Sequence, residues 1–190
     1  MRSLIEYAKV VAVVAAALLP AVSDAAAAET VPEPEGLWTG PMHGDTPATL
    51  TGATVLDLAA LEALMADKPI LLDVGPADKK PDDFPKDGLW LPTHRSMPGA
   101  VWMPGAGGAS LDEKQEAAFF SRIDALTGGD KARPIVTFCK PQCWGSWNAG
   151  KRLVVKGYTH VGWFPAGIDG WQEKHETAVV QPEDGWATPK

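Results

Sequence analysis

The chain has 190 residues, 17 basic and 24 acidic side chains and a formal charge of −7. That length allows one domain with an ordinary hydrophobic core, and the acidic balance excludes the electropositive footprint of a nucleic-acid binder. Only two cysteines are present, which excludes a small secreted scaffold held together by disulfides.

Residues 1–28 read as a segment apart. Arg2 and Lys9 precede an apolar run over 10–22, interrupted by Pro20, and four alanines close the segment at Ala28. A basic start, a short apolar stretch and a small-residue site predict a secretory signal peptide cleaved near Ala28. A spanning helix needs about 20 apolar residues. Residues 29–53 are rich in Pro, Gly and Thr and are expected to form an extended lead-in, pinned to the domain by Leu37 and Trp38.

A domain is expected over 54–175. Residues 54–56 read as a short strand, and Asp57 caps a helix over 58–66 that carries Leu58, Leu61, Leu64 and Met65 on one face before Pro69. The apolar run 70–74 suits a strand covered on both faces. A polar loop over 76–92 leads to a short strand at 100–103. Ser110 and Glu113 have the spacing of a capping box for a helix over 111–127, whose Phe119, Phe120, Ile123 and Leu126 share a face and which Gly128 and Gly129 stop. A strand over 135–138 runs into Cys139. A helix over 146–156 packs through Trp147, Gly150, Leu153 and Val154, a last strand covers 160–164, and 167–171 form a turn or helical stub. Residues 176–190 show no pattern and read as a tail. The alternation predicts an α/β fold, a mainly parallel sheet flanked by helices on both sides. Most of the eight tryptophans are expected in the core or at its rim.

The chemistry centres on Cys139. It stands where a buried strand ends and a helix soon follows, the edge at which open α/β sheets bind ligands. Lys140, Pro141, Gln142, Trp144, Gly145 and Ser146 form the adjoining loop, expected to curl so that backbone N–H groups and the helix N-terminus face the sulfur. Such dipoles lower a thiol pKa and stabilise a persulfide or oxyanion. The bland alternative is a buried core cysteine. Cys143, four positions on, is a candidate resolving thiol for a persulfide or mixed disulfide on Cys139. A plain disulfide there closes a tiny loop, with about 2 kcal/mol of entropic stabilisation. Two thiolates with His94 or His160 are also a conceivable Cu(I) site; lone histidines more often cap or face solvent, and no metal is assigned. Met97 and Met103 read as core. Trp144 either shields the thiolate or packs under the loop. Asp73 reads as a hydrogen-bonding residue rather than an acid or base, and Asn148 as a partner for loop carbonyls.

Leu72-Asp73-Val74, Met97-Pro98-Gly99-Ala100 with Met103-Pro104, Cys139 before a helix, and Gly157-Tyr158, Val161, Gly167-Ile168 and Trp171 resemble the rhodanese domain in order and spacing over 54–173. Cys139 with Cys143-Trp144, Ser146-Trp147-Asn148-Ala149 and Thr127-Gly128-Gly129-Asp130 are similar to a narrower periplasmic group, the PQQ-dependent catabolism-associated CXXCW motif proteins. The resemblance implies a sulfurtransferase or persulfide carrier in the periplasm, with the persulfide on Cys139 and a small sulfur donor or thiol acceptor. It also implies an accessory role beside an exported quinoprotein dehydrogenase or its cytochrome. It implies no cofactor held by this chain and no membrane attachment once the signal is removed.

The chain departs from the family's pattern in several places. Gly145 precedes Ser146 where the family usually has Arg or Lys, and the loop is one residue longer. That length resembles the phosphatases of the same fold, which need a loop arginine for the phosphoryl oxygens. Gly75 stands where an Arg often follows Asp-Val, and Ser96 where a His is common. Lys140, His94 and Arg95 are the cations that could replace the lost charge. A partner-binding accessory without catalysis, and thiol–disulfide exchange through Cys139 and Cys143, are the alternative functions.

Overall fold

The computed structural model describes residues 31–77, 82–88 and 94–186; the signal-peptide expectation for 1–28 lies outside them, as does Trp90. The strands are β1 (Thr54–Val55), β2 (Ile70–Asp73), β3 (His94–Ser96), β4 (Val101–Trp102), β5 (Ile135–Phe138), β6 (Val161–Trp163) and β7 (Ala178–Val180). The helices are α1 (Leu58–Leu64), α2 (Glu113–Thr127), α3 (Trp144–Val155) and α4 (Gly167–Gln172). β1, β6, β5, β2 and β4 lie side by side in that order, each pair parallel.

Side chains alternate between the two sheet faces. Ile70, Leu72, Val74 and Ile135 meet Phe119 and Ile123 of α2 and Ala149 and Leu153 of α3 on one side. Leu71, Val136 and Phe138 meet Leu61 of α1 and Phe164, Ile168 and Trp171 around α4 on the other. β2 and β5 are buried at every position, as their unbroken apolar runs require. Each such Leu, Ile or Phe contributes roughly 1.5–3 kcal/mol by leaving water.

The helix ends show which local signals dominated. Asp57 caps α1 by accepting from the Ala60 N–H at 2.8 Å, but the α-helix gives way to a 3-10 turn over Met65–Asp67, and Lys68 turns left-handed ahead of Pro69. α2 starts two residues later than expected. Its capping box is Asp112 with Gln115, not Ser110 with Glu113, so the carboxylate that can reach N3 sets the start. α3 starts two residues earlier than expected, with Cys143 as its N-cap; Trp144, Gly145 and Ser146 therefore belong to its first turn. The tail is also partly ordered: β7 pairs antiparallel with β3, and Arg95 bonds to the side chain and carbonyl of Thr177, both at 2.8 Å. Three-residue strands are too short to show a period.

The lead-in does pack on the domain. Trp38, Met42 and Leu50 join Trp144, Trp147 and Trp163 in a third apolar cluster. Opposite them, the turn after β4 presses on α3, where a Cβ added to Gly107 would lie 2.0 Å from the Gly145 carbonyl oxygen. Only a residue without a side chain permits that approach. Gly107→Ala is expected to cost about 1–3 kcal/mol in chemical denaturation, whereas Val155→Ala, at a side chain 76 % exposed, stays within about 0.5 kcal/mol.

Candidate active site

β5 delivers Cys139 to the carboxyl edge of the sheet, but the strand's alternation continues through it. Cys139 falls on the same side as Ile135 and joins the core beneath α2 and α3, 3 % exposed. Cys139 is thus buried. Lys140 and Gln142 are exposed and Pro141 half-buried, and Gln142 takes a left-handed conformation at φ 54°. Cys143 follows in extended conformation, half-buried, directly before the first turn of α3.

The start of α3, expected near Cys139, stands directly after Cys143. The Cys143 side chain makes no close capping hydrogen bond of the serine or aspartate kind. Sulfur is larger and softer, and the N–H groups of Ser146, Gly145 and Lys140 act on it. The hydrogen bond from Cys139 is the strongest influence, and together these outweigh burial to bring the Cys143 thiol down to about 7. Cys139 moves the opposite way. Donation to Cys143, burial, and the negative charges of Cys143 and Asp73 push it far above the ordinary thiol range, against the Lys140 N–H.

The lead-in roofs this loop. Trp144 N–H donates to the Met42 carbonyl at 2.9 Å, Gly44 N–H donates to the Gln142 carbonyl at 3.0 Å, and His43 bridges to Cys143 as a single antiparallel pair. Gln142 also donates through Nε2 to Asp45 Oδ1 at 3.1 Å. Trp38 stacks on Trp144 at 4.3 Å, and Trp147 meets Trp144 edge-on. Asn148 accepts from the Trp38 N–H and donates to the carbonyls of Trp38 and Gly107, so it joins the strap to the turn behind α3. Ser146 is buried, accepting from Trp163 Nε1 and donating to the Cys143 carbonyl. Trp144 is packing material under the strap. Met42, His43, Gly44 and Asp45 were not read as site residues, since nothing local marks an irregular segment that pairs with a distant loop.

Beside the thiols lies a buried carboxylate. Asp73 Oδ1 accepts from the Gly75 N–H at 2.8 Å, Oδ2 accepts from Ser96 Oγ at 2.6 Å, and His94 Nε2 lies 2.7 Å from the same Oδ2. His94 stacks on Trp102, whose indole N–H donates to the Gly75 carbonyl. Gly75 and Ser96 thus serve one hydrogen-bonded set around Asp73. His94 is engaged there and Arg95 at Thr177, so of the three candidate cations only Lys140 sits in the loop itself. His160 stands before β6, at the opposite end of the sheet from the thiols, and cannot share a metal with them. Among the described residues no three Cys, His, Asp or Glu side chains gather as a metal site.

The family model described as the rhodanese-like domain matches residues 57–174. No curated protein matches the chain. Among solved structures, the chain is similar to a human single-domain sulfurtransferase, with 21 % identity, 64 % of this chain and 97 % of that one covered, and a TM-score of 0.40. It is also similar to a polysulfide-sulfur transferase homodimer from Wolinella succinogenes, with 19 % identity, 72 % and 84 % covered, and a TM-score of 0.39.

The two thiols should separate in labelling. In the native protein an alkylating agent is expected to modify Cys143, with a rate that rises through a midpoint of about 7, while Cys139 reacts only after unfolding. Peptide mapping after labelling across a pH series checks both; equal native rates at the two positions would contradict the burial order.

Proposed function

We propose a sulfur-handling role from one premise: the chain belongs to the rhodanese-like domain family, whose model spans 57–174. The observation that carries the reading is the pair of free thiols at the carboxyl edge of the parallel sheet, Cys139 directly after β5 and Cys143 as the N-cap of α3. A thiolate held by amides near neutral pH is a competent nucleophile, and the same amides suit a persulfide anion. The reaction is the movement of sulfane sulfur from a small donor onto the Cys139/Cys143 pair and on to a thiol or other thiophile. The loop contains no arginine, which points away from phosphoryl chemistry.

The setting belongs to the same proposal. A cleavable leader would place the protein in the periplasm, and the similarity of Cys143-Trp144 and Ser146-Trp147-Asn148-Ala149 to the CXXCW group supports an accessory role in PQQ-dependent alcohol oxidation, beside an exported dehydrogenase or cytochrome. A second reading, thiol–disulfide exchange, is favoured by two free thiols in one place, Cys143 packing against the core cluster that contains Cys139. A reduction potential below about −300 mV would mark the pair as an inert structural bond instead.

Wild-type protein treated with thiosulfate is expected to gain about 32 Da, one sulfur atom, in intact-mass analysis, and a variant with both cysteines changed to serine is expected to gain nothing. A wild-type protein that never loads would overturn the sulfur-handling reading. Protein recovered from the periplasm of a Gram-negative host is expected to lack residues 1–28; uncleaved protein retained in the cytoplasm would overturn export.

A further inference from the structure

We infer that the chain carries a second binding site, a groove between the lead-in, α2 and α3 that takes an α-amino acid with an apolar side chain. The groove encloses about 590 Å³, a size usual for small-molecule sites. None of residues 139–146 lines it. It stands apart from the thiols, so its occupant does not depend on the sulfur-handling reading.

One buried group there lacks a partner. Arg152 is 5 % exposed, and its Nη1 and Nη2 donate to the carbonyls of Ala106 and Gly108 at 3.1 and 2.8 Å. Those two bonds fix the plane of the guanidinium. Its Nε–H is buried with no hydrogen-bond partner. Glu116 Oε1, at 3.8 Å, is beyond hydrogen-bond reach. A buried donor left unmade is costly, and Arg152 and Glu116 both line the groove. An acceptor seated between them completes the guanidinium.

The charges around that donor define what fits. α2 brings Glu113 and Glu116, three positions apart and so on one helix face, and the lead-in brings Glu35. α3 brings Lys151, Arg152 and Lys156. The Lys151 ammonium leans on the Trp147 ring at 5.6 Å and the Lys156 ammonium on the Phe120 ring at 4.5 Å. One wall is therefore acidic and the other basic. A carboxylic acid alone would satisfy Arg152 but set its charge against the acidic wall. An amine alone would leave the Nε donor unpaired. An α-amino acid carries both charges on one carbon, which suits a guanidinium and a carboxylate 3.8 Å apart. Its carboxylate accepts from Arg152 Nε, and its ammonium donates to Glu116, whose side chain is 52 % exposed.

The third substituent meets apolar surface. Leu37 and Phe120 are half-buried at the groove. Val155 is 76 % exposed, the most exposed large apolar side chain among the described residues, and it lines the groove too. An apolar side chain laid across these three removes that surface from water.

Titration calorimetry with L-phenylalanine is expected to show saturable one-to-one binding. 3-Phenylpropionate and phenethylamine, each lacking one charge, are expected to bind about tenfold more weakly or worse. Glu116→Gln is expected to weaken phenylalanine by about tenfold and not to weaken 3-phenylpropionate. Arg152 also holds the turn at Ala106 and Gly108, so Val155→Asp, at a side chain in solvent, tests the apolar end without disturbing the core. It is expected to weaken phenylalanine by about tenfold. A variant with both cysteines changed to serine is expected to bind phenylalanine as the wild type does. Phenylalanine that does not bind, or binds no better than 3-phenylpropionate, would overturn the inference. So would unchanged affinity in Glu116→Gln or Val155→Asp, or loss of binding in the double serine variant, which would put the ligand at the thiols.

Discussion

α3 opens on a cysteine as its N-cap, and the rest of the site follows from that. A helix start leaves N–H groups without partners inside the helix, and an oxygen from Ser, Thr, Asp or Asn usually receives them. Here the N-cap is Cys143, a weak acceptor as a thiol and a good one as a thiolate. Helix start and sulfur charge are consequently coupled: each makes the other more favourable.

That arrangement depends on α3 beginning at a fixed place, and three contacts hold it there. The Met42 carbonyl receives the Trp144 N–H. Gly107 lets the turn after β4 come against Gly145. Asn148 links Trp38 on one side to Gly107 on the other. The departures from the family pattern fall into place around these contacts. Ser96 and Gly75 spend their hydrogen bonds on Asp73, and the tryptophans that made the composition unusual fill the seam between strap and helix. Trp144, Trp147 and Trp163 are each almost completely buried.

Much of this was legible before any coordinates. The runs 70–74 and 135–138 could only be strands covered on both sides, and Asp57 and Gly128 mark helix ends by their chemistry. Ser146 misled because serine is the better capping residue, so the true start at Cys143 stayed hidden behind it. The burial of Cys139 was available from β5 itself: a strand covered on both faces has no exposed side, and Cys139 is the next residue after it. The strap was not legible, because its bonds join residues 97 to 110 positions apart and its own segment has no period. The pairing of β3 with β7 failed to register for the same reason, with Val179 and Val180 too few to make a pattern.

Gln142 holds a backbone conformation that costs a residue with a side chain roughly 1–2 kcal/mol, and it is the strap that holds it there: Gly44 donates to its carbonyl and Asp45 accepts from its amide. Such an arrangement is a thermodynamic linkage, and linkage runs in both directions. Any anion that binds the loop in this shape tightens the strap by as much free energy as the strap lends to binding. The amino-terminal segment, outside the residues that the family model matches, thus shares in fixing the loop's shape.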